Sequence, residues 1–264
     1  MHFAKKSLGQ NFLKSKEALR DLVEAGDILP TDIILEVGPG KGVLTRELIA
    51  KAKKVIAVEK DSRLIEILNE EFKDVIQAGK LEIIEQDILE FDPEVLKKEG
   101  ESYKIIANIP YYITGTFLQK FLEHSFQPSR MVVMVQKEVV QRIVARDNKE
   151  SILSLSVKAF GTPKYVSTVK AKYFSPEPKV DSAIILISNI SRNFFTDISE
   201  EHFFTIMKAG FAHKRKMVIG NLKEKGIADA QILGSLFDSL SINKKARAED
   251  LTLEQWKQIC LALR

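Results

Sequence analysis

The sequence predicts an α/β fold in which a doubly wound, mostly parallel sheet is followed by a small all-helical domain. Three observations predict it. Short apolar, β-branched runs recur at 33–37, 54–58, 81–84, 104–107, 131–135 and 183–187. Between them lie segments such as 42–50 and 62–72, whose apolar residues fall at three- and four-residue spacing. From about residue 190 only the helical pattern continues. Strand–helix alternation requires parallel strands joined by crossover helices, and such a sheet is covered on both faces. The expected boundaries are 1–188 for the α/β domain and 189–264 for the helical one.

Ser15 reads as the N-cap of a first helix whose Leu19, Leu22 and Val23 form one stripe. The run 33–37 leads straight into Gly38-Pro39-Gly40-Lys41-Gly42, and a helix begins there. In the C-terminal part, Ser199 before Glu200-Glu201 starts a helix with Phe203, Phe204, Ile206 and Met207 inward. A second helix occupies 229–240. The last carries a capping box, Thr252 with Gln255, ahead of Trp256, Ile259 and Leu263. There is no internal repeat and no low-complexity segment.

At 264 residues, 45% apolar and 29% charged, the chain can bury a substantial core. Its single cysteine, Cys260, rules out an intrachain disulfide, and with only four scattered histidines a structural zinc site is not expected. No metal is expected elsewhere. No apolar run reaches membrane-spanning length and the N-terminus shows no signal-peptide core, so the expected location is the cytoplasm. The net charge of +4 hides an asymmetry: residues 59–101 carry 14 Asp and Glu against 6 Lys and Arg. Positive charge gathers instead at 5–16, 130–149, 164–179 and 214–216. Any one such cluster is an ordinary solvated surface; several together point to a polyanionic partner.

The glycine loop follows the pattern Gly-x-Gly-x-Gly. It lacks the third glycine of the dinucleotide fingerprint and the Gly-Lys-Ser/Thr ending of a phosphate loop. Glu36, just before it, makes the setting acidic, which suits a ligand with an amino or sulfonium group better than a pyrophosphate. Glu59 closes the second strand, 21 residues after Gly38, where an acidic side chain can accept from both hydroxyls of a ribose. Asp87 follows the third strand and is placed for the exocyclic amine of an adenine. Each carboxylate alone could equally be a strand-end turn or a helix cap. Three such features at successive strand ends favour a nucleoside site on the carboxyl edge of the sheet.

The fourth strand ends in Asn108-Ile109-Pro110-Tyr111-Tyr112. A turn with core tyrosines is one reading; a pocket for a planar, hydrogen-bonding ring is the other. An exocyclic purine amine is a poor nucleophile because its lone pair is delocalised into the ring. The Asn108 side-chain oxygen and the Ile109 carbonyl are two acceptors that would draw such a nitrogen toward pyramidal geometry. Pro110 holds the preceding residue extended and fixes the direction of that carbonyl. Tyr111 offers a face for stacking.

Taken together, these residues resemble the KsgA-type rRNA adenine N6-dimethyltransferases, within the class I methyltransferases that use S-adenosylmethionine. Ser7-Leu8-Gly9-Gln10-Asn11-Phe12-Leu13 is similar to the family's N-terminal motif, 35–42 to its cofactor loop and 108–111 to its amine-holding motif. Phe174-Ser175-Pro176-Glu177-Pro178-Lys179-Val180-Asp181-Ser182 resembles a base-stacking loop. Phe211-Ala212-His213-Lys214-Arg215-Lys216 with Asn221-Leu222 resembles the helical-domain signature. The resemblance implies a Rossmann-like methyltransferase sheet and the dimethylation of two adjacent adenosines near the 3′ end of small-subunit rRNA. The partner implied is a pre-30S particle, with no membrane, and the chain is expected as a monomer. It also implies cofactor contacts from Gln10, Asn11, Leu13, Gly38, Gly40, Glu59, Asp87 and Asn108. The reaction site would comprise Asn108, Ile109, Pro110, Tyr111 and Phe174, with Tyr111 and Phe174 on the two faces of the adenine. Lys214, Arg215 and Lys216 would grip RNA. Rival readings are a resistance-type enzyme acting on large-subunit rRNA, a nicotinamide-dependent oxidoreductase, and a non-catalytic RNA-binding factor.

Overall fold

The computed structural model describes residues 9–263. The pair Lys5-Lys6 and the Ser7-Leu8 start of the N-terminal motif lie outside the described residues. In chain order the elements are β1 (Phe12–Leu13), α1 (Lys16–Gly26), β2 (Ile33–Val37), α2 (Val43–Lys51), β3 (Lys54–Glu59), α3 (Ser62–Glu71), α4 (Lys73–Gln77) and β4 (Leu81–Glu85). Then follow β5 (Lys104–Asn108), α5 (Thr114–Glu123), β6 (Arg130–Gln136), α6 (Lys137–Ile143), α7 (Ile152–Phe160), β7 (Thr162–Val169), β8 (Phe174–Ser175) and β9 (Ser182–Ser188). The last four are α8 (Glu200–Gly210), α9 (Val218–Glu224), α10 (Ala230–Ser239) and α11 (Leu253–Ala262).

Seven strands form one sheet in the order β4-β3-β2-β5-β6-β9-β7. Every pair is parallel except those made by β9, which runs against both β6 and β7. β2 is buried at all five positions and β5 at its three central ones. That is why both read as unbroken apolar runs rather than alternating ones. α1 covers one face: the Ser15 hydroxyl accepts from the Ala18 N–H, and Leu19, Leu22 and Val23 turn inward onto a core shared with Ile34, Ile106 and Val132.

Six of the seven sheet strands stand at the expected places. The seventh, β7, was not foreseen, because Pro163, Lys164 and Ser167 break its apolar pattern. It is an edge strand, paired only with β9 and carrying an irregular register between Tyr165 and Ser167. Edge strands tolerate proline and charge, since one side of the ladder faces no partner.

The chain divides into two compact units: 1–140 with 161–190, and 141–160 with 191–264. The chain thus visits the second unit twice, where a single boundary after residue 188 was expected. The reason is α7. It buries Leu155, Val157, Ala159 and Phe160, and the Phe160 ring lies 5.1 Å from Phe195 and 6.3 Å from Phe204. Phe194 and Phe203 complete this aromatic cluster. Its position between two strands had placed it with the sheet; its apolar face places it with the helices.

In the same unit Ser199 caps α8 by accepting from the His202 N–H, and Asp229 caps α10. The capping box of α11 is complete, Thr252 accepting from Gln255 N–H and the Gln255 side chain from Thr252 N–H. Replacing Thr252 with Ala should lower unfolding free energy by about 1 kcal/mol. Chemical denaturation checks this, and an unchanged midpoint would mean the cap contributes nothing.

Candidate active site

Parallel pairing brings the carboxyl ends of β2, β3, β4 and β5 to one edge. At that edge lies a cleft of about 1100 Å³, lined among others by Glu36, Gly38, Glu59, Asp87, Asn108 and Tyr111. β2 and β5 are neighbours in the sheet while their connections depart in opposite directions, so the cleft occupies the switch point where such sheets bind ligands.

The glycine loop is fastened to the second strand, its Gly38 N–H donating to the Val58 carbonyl at 3.0 Å. Gly42 has φ 74°, and a Cβ there would lie 2.5 Å from the Phe72 ring. Gly40 has φ 62°, and its Cβ would meet the Phe12 ring at 3.2 Å. Left-handed backbone and the lack of space together exclude side chains from both positions. Gly40 N–H donates to Glu59 Oε2 at 3.3 Å, while Lys60 and Asp61 N–H donate to Oε1 at 2.9 Å each. Glu59 is buried, which raises its pKa against the lowering effect of those backbone donors.

Glu36 is 1% exposed and its Oε2 has no hydrogen-bond partner among the described residues. Burial pushes its carboxyl up to about 8, and the nearby Glu59 carboxylate acts in the same direction. At the strand end beyond, Asp87 pairs with Lys60 Nζ at 2.6 Å and accepts from the Leu89 N–H at 2.9 Å. The lysine holds the Asp87 carboxyl below its ordinary range.

Residues 9–13 form a strap along the cleft. β1 pairs with β8, Phe12 opposite Ser175 and Leu13 opposite Phe174. Lys14 N–H donates to the Tyr173 carbonyl at 2.8 Å. Asn11 Nδ2 donates to the Gly9 carbonyl at 3.2 Å, and Asn108 Nδ2 donates to the Asn11 carbonyl at 3.3 Å. With its amide nitrogen committed to the strap, Asn108 presents Oδ1 as an acceptor. Gln10 lines the cleft and donates its Nε2 to Asp61 Oδ2 at 2.9 Å.

Pro110 has φ −58° and ψ 135° and turns the chain out of β5. Tyr111 is half-buried, its hydroxyl 2.6 Å from Ser182 Oγ, and burial raises its pKa. Phe174 does not sit as expected. It is 2% exposed, packs in the core cluster with Leu22, Val132 and Ile184, and is absent from the cleft lining. The β1–β8 pairing turns its ring inward, so it offers no second face to a base in this arrangement. Three residues went unrecognised in the sequence. Ser182, which ends the 174–182 motif, is fully buried and holds Tyr111; Asp61 follows Glu59 by two; Tyr112 lines the cleft at 66% exposure.

In the helical unit Lys214, Arg215 and Lys216 are all exposed, in the connection between α8 and α9. Asn221 is buried and clamps that connection, its Nδ2 donating to the carbonyls of Gly210 at 2.6 Å and His213 at 3.1 Å. Lys216 is not a free cation: its Nζ lies 2.9 Å from Glu224, which also holds His213 at 2.8 Å. Among the described residues, no group of His, Cys, Asp and Glu could hold a metal ion, and no helix is long and apolar enough to cross a membrane.

A family model described as ribosomal RNA adenine dimethylase matches residues 1–264. A protein of Dehalococcoides mccartyi named ribosomal RNA small subunit methyltransferase A is 44% identical over 259 residues, covering 98% of this chain and 88% of its own. A Fusobacterium nucleatum protein of the same name is 36% identical, covering 97% and 96%. Among solved structures, a dimethyladenosine transferase from Plasmodium falciparum aligns with TM-score 0.80 at 26% identity, over 94% of this chain and 95% of its own. The 23S rRNA methyltransferase ErmE shares the fold, with TM-score 0.79 at 24% identity over 96% and 99%.

Truncating Phe174 to Ala should cost about 3–5 kcal/mol of stability, the usual loss for an emptied aromatic core site. Thermal melting checks it, and an unchanged melting temperature would return the ring to the cleft. Glu36 gives a pH signature. Its folded pKa is raised above the unfolded one, so the folded state binds the extra proton and stability falls as pH rises from roughly 4.5 toward 8. Glu36→Gln should flatten that fall, measured by denaturation at several pH values; equal slopes in variant and parent would contradict the assignment.

Proposed function

The chain belongs to the ribosomal RNA adenine dimethylase family and is an S-adenosylmethionine-dependent methyltransferase, and we propose that it dimethylates N6 of two adjacent adenosines in the hairpin loop near the 3′ end of small-subunit rRNA, within a pre-30S particle. The observation that carries this reading is the Asn108 side chain, whose Nδ2 is held by the Asn11 carbonyl so that Oδ1 remains to accept. The small-subunit choice follows the name borne by the relatives.

The cleft fits the cofactor's chemistry. Glu36 Oε2 is an orphaned, buried carboxyl oxygen, suited to a cationic end, and Gly38, with φ 63° and only the Asn108 carbonyl at 3.9 Å from where a Cβ would stand, leaves open space in the loop. Glu59 would meet the ribose hydroxyls and Asp87 the adenine amine; the Asn11 and Leu13 backbones would close the site from the strap. When bound, S-adenosylmethionine supplies an electrophilic methyl group on sulfonium.

The chain's own residues prepare the nucleophile. Asn108 Oδ1 and the Ile109 carbonyl accept the two N–H bonds of the target amine and pull its lone pair out of conjugation with the ring. As positive charge grows on nitrogen, the same acceptors stabilise it, and because they are fixed beforehand no reorganisation is needed. Tyr111 backs one face of the base, its orientation locked by Ser182. The base must leave its stack to reach this point, which costs least in a loop. Within the 214–216 run Lys214 and Arg215 are left to meet phosphate, since Glu224 holds Lys216.

Labelled S-adenosylmethionine with unmethylated small or large ribosomal subunits tests the reading. The expected product is N6,N6-dimethyladenosine at two adjacent positions of the small subunit; label in the large subunit alone would overturn the substrate. Asn108→Ala should slow both transfers by about 10²–10³-fold, the usual cost of one lost transition-state hydrogen bond, and a normal single-turnover rate would remove it from the chemistry. Replacing Lys214 and Arg215 with Ala should flatten the salt dependence of RNA binding by up to roughly one unit of log–log slope per lost phosphate contact. An identical slope would leave the patch a solvated face.

A further inference from the structure

Asp61 takes no part in the chemistry just described, yet its side chain is fully buried. Its Oδ2 accepts from Gln10 Nε2 at 2.9 Å, from the strap 51 residues away. Arg63 grips the same carboxylate from the other side, with Nε at 2.9 Å from Oδ1 and Nη2 at 2.6 Å from Oδ2. The Arg63 backbone N–H donates to Oδ1 at 3.4 Å, so Asp61 is also the N-cap of α3. Its own N–H donates to Glu59 Oε1 at 2.9 Å.

Two buried carboxylates two residues apart repel one another, and Asp61 adds to the upward pressure on the Glu59 pKa. Arg63 supplies the charge that makes the pair tolerable. A helix cap needs only the bond to Arg63 N–H, and an exposed serine would provide it. The buried carboxylate does more than cap the helix: it also holds the strap through Gln10.

We propose that Asp61 is a positioning residue for the cofactor end of the cleft, holding the strap through Gln10 and the Glu59 carboxylate through its own N–H. The two walls, one from residues 9–13 and one from the end of β3, are thereby fixed as a single frame before any ligand arrives. This rests on the reading of the cleft as the S-adenosylmethionine site. Gln10 then orients the strap through its bond to Asp61.

The test measures the Kd of S-adenosylhomocysteine by calorimetry for the full chain and four variants. Gln10→Ala and Asp61→Asn should each weaken binding by about tenfold or more, the scale of one lost hydrogen bond to a charged group. Gln10→Glu, which sets two carboxylates face to face, should weaken it further. Gln10→Glu combined with Asp61→Asn restores the bond with donor and acceptor exchanged and should recover most of the affinity. The cofactor KM should move with Kd in every case. A purely structural cap would lower the melting temperature with no recovery in the combined variant, and that result, or all variants within twofold of the parent, overturns the proposal. Should Asp61→Asn fail to fold, unchanged affinity in Gln10→Ala and Gln10→Glu overturns it equally. A parent chain that does not bind S-adenosylhomocysteine would sink the cofactor reading instead.

Discussion

Parallel pairing of β2 with both β3 and β5 is the constraint on which the remaining features depend. Because these strands share a direction, Glu36, Glu59 and Asn108 all arrive at one edge of the sheet, although the chain between them is long. The register places Val37 beside Val58 and Glu36 beside Ala57, so the glycine loop leaves β2 level with the end of β3 and Gly38 can bond to the Val58 carbonyl. A shift of one residue would exchange the side chains between the two packed faces and move both carboxylates off the edge. Burial on both faces keeps that from happening: β2 has no solvent-facing position to exchange.

Once the edge is assembled, the strap completes it. Residues 9–14 have little regular structure of their own, two residues of β1 apart, and are held by bonds to distant partners: Asp61, Asn108, Tyr173 and the β8 pair. The price is local electrostatic tension. Glu36, Glu59 and Asp61 bring three buried carboxyl groups together with one guanidinium, and burial raises the pKa of both Glu36 and Glu59.

Much of this was legible in the residues. β-Branched runs marked six strands because parallel strands buried on both faces need continuous apolar sequence. Ser15, Ser199 and Thr252 announced their helices because capping is chemically narrow. The glycine loop, Glu59, Asp87 and Asn108 could be assigned to one sheet edge because each follows or ends a strand of a parallel sheet, and all of them line the cleft there. Less visible was anything decided by long-range packing. α7 carries an ordinary amphipathic pattern that does not say which unit it joins. Phe174 reads as a ring for stacking, and only its pairing opposite Leu13 shows it turned into the core. Gln10 and Asp61 lie 51 residues apart, and nothing local to either marks their bond. Lys216 stands in a basic run, yet Glu224 already holds it.

The central claim is that Asn108 and the Ile109 carbonyl accept the two hydrogens of the target amine, with Asn108 oriented by the strap. A crystal structure of the chain with S-adenosylhomocysteine and adenosine tests it most directly. The predicted result places the adenosine N6 within hydrogen-bond reach of Asn108 Oδ1 and the Ile109 carbonyl, its ring against Tyr111, and keeps Asn108 Nδ2 on the Asn11 carbonyl. An adenosine bound with N6 away from both acceptors, or with Asn108 released from the strap, would contradict it.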